Sequence, residues 1–167
     1  DELCWSHEGI PGRWPNRLKN QWEPIFHFCA MSDIKLTHEN VMHQSQRSGA
    51  YNGSDGTTST GNVGFKGAVG EGMALPGNLL RITHGQGRDD LAKHPAKFPV
   101  GLPSFFVKAF SDEGDSIFDP FMGSGTTLIA AEQLGRKCYG MEISPGYCDI
   151  IVKRWEILTG KQAVRGK

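Results

Sequence analysis

Between Ser116 and Glu142 the chain spells a strand, a glycine turn, a helix and a second strand. Ser116-Ile117-Phe118-Asp119 is a short apolar run that ends on a carboxylate. Pro120-Phe121-Met122-Gly123-Ser124-Gly125 follows and opens into a helix at Thr126-Thr127. Lys137 to Met141 reads as the second strand, and Glu142 stands at its tip, nineteen residues after Gly123. This order joins parallel strands through a crossover helix, so an α/β fold with a mostly parallel sheet flanked by helices is expected. The glycines let the backbone approach a ligand, and a carboxylate at the tip of the second strand can accept both hydroxyls of a ribose. The layout is that of a nucleotide-type cofactor site.

The same turn narrows the cofactor. No Gly-Lys-Ser/Thr follows the glycines, so a phosphate-cradling loop would lack its lysine. A dinucleotide fingerprint fails as well, because Leu128 stands where the third glycine belongs. A pyrophosphate needs that helix N-terminus nearly bare. Phe121-Met122-Gly123-Ser124-Gly125 suits S-adenosylmethionine, whose portion nearest the turn is an amino acid. A tight turn with incidental glycines would not explain the spacing of Glu142.

At 167 residues the chain is long enough for one domain with a real core. Lys+Arg 18 balance Asp+Glu 18, so any nucleic-acid contact must come from a local patch. Cys4, Cys29, Cys138 and Cys148 have no CxxC spacing and suit a reducing, cytoplasmic setting. Cys138 falls in an expected buried strand and is read as unreactive. The six histidines are scattered without cysteine partners, so no metal is expected. No apolar run approaches the ~20 residues of a membrane span, so no membrane partner is expected.

Residues 1–44 hold Trp5, Trp14 and Trp22, best read as packing residues, and a strand from Glu23 to Cys29. Pro24 suits a sheet edge or a strand entrance. More than half of positions 45–72 are Gly, Ser or Thr, so 45–74 is expected to be a long mobile loop, with Arg47 and Lys66 able to touch phosphates. Residues 75–167 carry the α/β part. Asn78–Ile82 reads as a strand, and Pro95 and Pro99 keep His94–Pro99 extended. Pro103 opens a helix to Phe110, with Leu102, Phe105, Phe106 and Phe110 as its apolar stripe.

Two strands, Asp115–Phe118 and Lys137–Met141, flank the next helix. That helix, Thr126 to Leu134, is expected to bury Leu128, Ala131 and Leu134 and to stop at Gly135. Ser144 and Pro145 then serve as N-cap and first position of a last helix. Tyr147, Ile151, Trp155 and Leu158 form its stripe, and Gly160 ends it.

Asp119 to Thr127, then Gly140-Met141-Glu142-Ile143-Ser144 and Tyr147, with His94-Pro95-Ala96-Lys97-Phe98-Pro99 upstream, closely resemble the DNA amino-methyltransferases. Those enzymes methylate N6 of adenine or N4 of cytosine. The order resembles their beta group, in which the catalytic half precedes the cofactor half. Glu23-Pro24-Ile25-Phe26 is similar to a late strand of that catalytic half. The likeness is specific over 94–156, suggestive over 16–30 and absent over 45–72.

The resemblance implies a Rossmann-like fold dependent on S-adenosylmethionine, here an incomplete copy. Residues 1–44 would end the catalytic half, 45–74 would stand in the place of a target-recognition region, and 75–167 would bind the cofactor. Phe121, Gly123 and Gly125 would shape the pocket around the methionine and ribose. Asp119 would sit beside the cofactor at the strand end, and Thr126 and Thr127 would begin the helix that faces it. Glu142 would hold the ribose hydroxyls, Ile143 would pack on the adenine, and Lys97 and Phe98 would neighbour the methionine end. Double-stranded DNA is the implied partner, in a cytoplasmic restriction-modification setting of bacterial or phage type.

The family's chemistry also needs Asp/Asn/Ser-Pro-Pro followed by an aromatic. Its polar groups accept hydrogen bonds from the target amine, and the aromatic stacks on a flipped base. No such motif occurs in these residues, since Asp119-Pro120-Phe121 belongs to the cofactor turn. No catalytic residue is assigned, and the chain alone is expected to be inactive. The first expectation is the carboxyl-terminal part of a site-specific DNA methyltransferase. The alternatives are one half of a split enzyme, with a separate chain carrying the catalytic half, and a non-catalytic cofactor- or nucleic-acid-binding module. Adenine versus cytosine and the recognition sequence stay open, and RNA is the runner-up substrate.

Overall fold

A computed structural model describes residues 2–6, 22–29, 36–44, 73–74, 76–82 and 98–166. In chain order its elements are β1 (Glu2–Ser6), β2 (Trp22–Phe26), a 3-10 turn (His38–Asn40), β3 (His43–Gln44), β4 (Met73–Ala74), β5 (Leu79–Arg81), α1 (Gly101–Phe110), β6 (Ser116–Asp119), α2 (Thr126–Gln133), β7 (Lys137–Gly140) and α3 (Pro145–Thr159). Trp14, Arg47, Lys66, His94–Lys97 and the expected mobile loop, apart from Met73–Ala74, lie outside the described residues.

Two β-units flank α1. In the first, the strand order is β2-β1-β5, with β2 antiparallel and β5 parallel to β1. Pro24 lies on β2, an edge strand, where its missing N–H leaves no gap in the interior of the ladder. Trp5 supplies the centre of this unit: it is buried with Leu80 and Leu102, and its Nε1–H donates to the Ile82 carbonyl at 3.0 Å. The tryptophan therefore packs, as its residue type favours, and satisfies its one polar group while doing so.

The second unit is the β6-α2-β7 crossover, with β6 and β7 parallel and in register from Ser116↔Lys137 to Asp119↔Gly140. A two-residue pairing of β3 with β4 stands apart from both. α1 links the units, because Phe105 and Phe106 pack against the Trp5 cluster while the helix also packs on α2. It starts at Gly101, two residues before the proline expected to open it.

The buried face of α2 differs from the expected one. Thr126, Ile129, Ala130 and Ala131 are buried, whereas Leu128 and Leu134 are half-buried. Ala131 is buried as expected; with Ala130 beside it, α2 approaches its neighbours more closely than a leucine stripe would allow, so the two leucines are displaced from the buried face. Gly135 ends α2 in the left-handed conformation (φ 72°), as expected for a C-terminal glycine. Arg136 then clamps the corner, donating from Nη2 to the Ser111 carbonyl at 2.8 Å beyond the end of α1.

α3 keeps its expected limits, with Pro145 at its start and Gly160 (φ 69°) after its end. Ser144 caps through its backbone: its carbonyl accepts the N–H groups of Tyr147 and Cys148 at 3.0 Å each, and its side chain makes no capping bond. Tyr147, Ile151 and Trp155 are half-buried, but Leu158 is exposed, so the stripe is shorter than its sequence pattern. Among the described residues no helix is long and apolar enough to cross a membrane.

Close packing at the strand ends gives a testable consequence. A Cβ on Gly140 would collide with the buried Met122 side chain and lie 3.0 Å from the Asp119 carbonyl oxygen. The sulfur can move, but the carbonyl belongs to the β6 backbone. Gly140→Ala should therefore lower unfolding free energy by about 1–3 kcal/mol, the usual cost of overpacking. Urea denaturation followed by circular dichroism measures this, and a variant as stable as the parent would mean that Met122 repacks without strain.

Candidate cofactor site

β6 and β7 end at the same level, and the chain turns sharply after each. After β6, Oδ1 of Asp119 accepts the Phe121 N–H at 2.9 Å. The Gly125 N–H closes the Met122–Gly125 turn on the Met122 carbonyl at 2.8 Å. Gly123 (φ 53°) and Gly125 (φ 79°) are both left-handed, a region that side-chain-bearing residues rarely enter. Gly125 is required twice over, since a Cβ there would stand 2.9 Å from Ile151 of α3. The two turns are laced together: Met141 N–H donates to the Asp119 carbonyl and Met122 N–H to the Met141 carbonyl, both at 3.0 Å.

Glu142 completes the junction. Its Oε2 accepts the Gly123 N–H and its Oε1 the Ser144 N–H, each at 2.8 Å. One carboxylate thus satisfies a backbone donor from each turn. Every carboxylate oxygen has a second lone pair, so this pinned group can still accept hydroxyls from a ligand.

A cleft of about 600 Å³ opens over the junction, lined by Phe121, Gly123, Met141, Glu142, Ile143 and Tyr147. Small-molecule sites usually measure roughly 300–1,000 Å³, with apolar walls and a few placed polar groups. Phe121 and Ile143 are 88% and 99% exposed, so the cleft carries large apolar surfaces left to solvent.

Four of the ten expected site residues line this cleft: Phe121, Gly123, Glu142 and Ile143. Gly125, Thr126 and Asp119 support it from below. Gly125 is the N-cap of α2, Thr126 is buried at 3% exposure, and the Oδ1 of Asp119 holds the turn. Thr127 is half-buried on the first turn of α2 and does not line the cleft. Phe98 packs against the Trp5 cluster rather than into the cleft, because apolar burial beside Leu102 is available there. Lys97 lies outside the described residues.

The sequence reading assigned no site role to Met141, Tyr147, Ser124 or Arg154. Tyr147 follows Glu142 at a spacing that turns the first residues of α3 toward the strand tips, a signal available in the sequence. Arg154 gave no such signal, since a lone arginine on a helix usually reads as a solvated charge. It is 5% exposed, and its Nη1 donates to the carbonyl and the hydroxyl of Ser124 in the glycine turn. Among the described residues no group of three or more His, Cys, Asp or Glu could hold a metal ion.

The sequence profile described as DNA methylase matches residues 1–153, which takes in every residue of the cleft. The chain belongs to the DNA methylase family. The orphan methyltransferase M.BamHII of Bacillus amyloliquefaciens is 47% identical over 81 residues, covering 46% of this chain and 31% of that protein. The type II methyltransferase M.PvuII of Proteus hauseri is 32% identical over 95 residues, covering 52% of this chain and 28% of that protein.

Among solved structures, the cytosine-N4-specific PvuII DNA methyltransferase superposes with a TM-score of 0.61 at 20% identity. The match covers 97% of this chain and 58% of that one. The M1.HpyAVI–SAM complex matches with a TM-score of 0.54 at 20% identity, covering 93% and 61%. These likenesses show the Rossmann-like methyltransferase fold. The chain spans about three tenths of the length of those curated relatives.

Within this methylase fold the junction carboxylate can be tested without any ligand. Glutamine keeps one acceptor oxygen and turns an N–H₂ toward the second backbone donor. Glu142→Gln should leave one turn amide unsatisfied and cost about 1–3 kcal/mol of stability. Thermal melting would read this, and an unchanged melting temperature would mean that solvent replaces the lost acceptor.

The cysteines give a second test. Burial, and secondarily the Asp119 carboxylate, push the Cys138 thiol above its usual range, so its ionisation moves to higher pH. Cys29 is exposed. Alkylation at neutral pH, mapped by peptide mass, should therefore label Cys29 well before Cys138, because the thiolate is the reacting form. Equal rates would contradict the burial of Cys138.

Proposed function

We propose that this chain supplies the S-adenosylmethionine-binding part of a DNA amino-methyltransferase acting on N6 of adenine or N4 of cytosine. The observation that carries the reading is the Glu142 carboxylate, set between two strand-end turns under an apolar-walled cleft. It lies inside the stretch that matches the DNA methylase family. A neighbour of the same fold is described as a SAM complex, and another as cytosine-N4-specific, which supports both the cofactor and the class of acceptor.

The donor set suits this cofactor. A ribose offers two vicinal hydroxyls, and Glu142 offers two acceptor oxygens already fixed in direction by Gly123 and Ser144. An adenine ring offers apolar faces, and Ile143 offers a fully exposed aliphatic surface beside the carboxylate. Phe121 and the bare backbone of Gly123 leave room for the methionine portion. When bound, the cofactor supplies an electrophilic methyl group on its sulfonium.

Residues of this chain bind and orient in that scheme. Asp119 acts by holding the Phe121 amide, and Gly125, Thr126 and Thr127 act through the position of α2. Lys97 remains a candidate neighbour of the methionine end, and Phe98 is better assigned to the core. Double-stranded DNA is the proposed carrier of the methyl acceptor. The amine-binding Asp/Asn/Ser-Pro-Pro-aromatic motif does not occur in these 167 residues, so transfer needs residues supplied from outside them.

Calorimetric titration of the 167-residue chain with S-adenosylmethionine tests the reading, with Glu142→Ala alongside. Saturable binding is expected, weakened in the variant by about 1.5–3 kcal/mol, the range for hydrogen bonds to a charged group. Equal affinity in the two proteins would remove Glu142 from the site. A folded chain that binds no cofactor would overturn the proposal.

A further inference from the structure

Arg154 is the buried residue of α3, whose inward-facing Tyr147, Ile151 and Trp155 are only half-buried. Tyr147, Ile151, Arg154 and Leu158 follow one another at helical spacing on a single stripe. Arginine is almost never fully buried unless its donors are satisfied, yet this one is 5% exposed. Its Nη1 reaches the Ser124 carbonyl and, at 3.3 Å, the Ser124 hydroxyl, across thirty residues of sequence.

Ser124 explains why a donor is needed there. The first helical bond of α2 runs from the Ile129 N–H to the Gly125 carbonyl, so the Ser124 carbonyl lies outside the helix ladder. It is also shielded from solvent, since Ser124 is 6% exposed. A buried carbonyl without a partner is costly, and a guanidinium supplies a charge-assisted one. On either side, the Gly123 N–H is held by Glu142 and the Gly125 N–H by the Met122 carbonyl. Each residue of the Gly123–Gly125 segment thus has its own anchor.

We infer that Arg154 is a positioning residue of the cleft: from behind the glycine turn it fixes the Ser124–Gly125 peptide, and so holds closed the Met122–Gly125 turn that presents the Gly123 N–H to Glu142. Arg154 does not line the cleft and acts through Ser124. The effect on ligand affinity rests on the cofactor reading above; the effect on the turn does not.

The test compares the full 167-residue chain with Arg154→Met, Arg154→Lys and Ser124→Ala. Amide hydrogen exchange is read without ligand, and affinity is read by titration with S-adenosylmethionine. In Arg154→Met, exchange at Gly123–Thr127 should rise about tenfold or more, as follows from losing a hydrogen bond to a charged group. Exchange in β1 and β5 should stay at the parent rate, and S-adenosylmethionine affinity should fall roughly tenfold.

Arg154→Lys keeps the charge with a shorter reach and should fall between Arg154→Met and the parent. Ser124→Ala keeps the carbonyl and should lose less than Arg154→Met. Parental exchange at the turn in Arg154→Met overturns the inference, as does a uniform rise across all elements, which would mark a general packing role. If Arg154→Met does not fold, Arg154→Lys decides, and turn exchange at the parent rate in it overturns the inference. A parent chain that binds no S-adenosylmethionine sinks the cofactor reading, and the exchange data then judge Arg154 alone.

Discussion

The Glu142 carboxylate is where the geometry of the cleft is decided. Two parallel strands ending at the same level produce two tight turns side by side, and each turn leaves a backbone N–H pointing inward. A buried amide must find an acceptor or destabilise the fold. A carboxylate meets both needs at once, because it offers two acceptor oxygens and no donor. By bonding Gly123 and Ser144 together, Glu142 fixes the distance between the turns and hence the floor of the cleft. The carboxylate that lines the cleft is therefore also the group that fixes its shape.

Around that junction, small residues set how closely the layers approach. Gly140 admits the Met122 side chain beneath the turn, and Gly125 admits Ile151 from α3. Ala130 and Ala131, both at 0% exposure, bring α2 close to its neighbours. Larger side chains at these positions would push α2 or α3 away from β6 and β7 and open the turns that Glu142 closes. Longer-range support comes through α1, whose Phe106 and Phe110 rings stack 6.4 Å apart. The same helix packs on the Trp5 cluster and on α2, so both β-units share it as one wall.

How much of this could be read from sequence followed from where the determining forces lie. β6, α2, β7 and α3 were legible within one or two residues at each end, because glycines and prolines punctuate them and their periodicities are local. β1 was not assigned as a strand. Its partners are β2 and β5, and its pairing with Leu79–Arg81 spans a sequence distance that no local pattern reports. On α2, Ala131 was read as core and is buried, but Ile129 and Ala130 take the places given to Leu128 and Leu134, which are half-buried. Phe121, Gly123, Glu142 and Ile143 all line the cleft; the strand–turn–helix spacing pointed to Gly123 and Glu142, and the motif likeness to Phe121 and Ile143. Phe98 packs on the Trp5 cluster, a long-range neighbour that a motif likeness does not report. Arg154 was not legible, because the need it meets is a single carbonyl thirty residues away.

The two kinds of order in this molecule differ in reach. The cleft is organised by hydrogen bonds confined to residues 119–154, each between neighbours in space that the β6-α2-β7-α3 path brings together. Burial is less complete. Phe118 and Tyr139 are register partners and are 63% and 60% exposed. Ile117 and Cys138, the alternate pair, are half-buried. Parallel strands are ordinarily covered on both faces, because each face carries apolar side chains. Among the described residues, moreover, no large side chain is fully buried. A directional network of short range therefore sets the shape of the cleft. Hydrogen bonds to a carboxylate and a guanidinium can do this because their geometry is fixed by two or three atoms. Hydrophobic burial, by contrast, is non-directional and fixes no particular backbone atom. The hydrogen bonds of Glu142 and Arg154 therefore hold particular backbone atoms of the two turns in place, which apolar packing alone does not do.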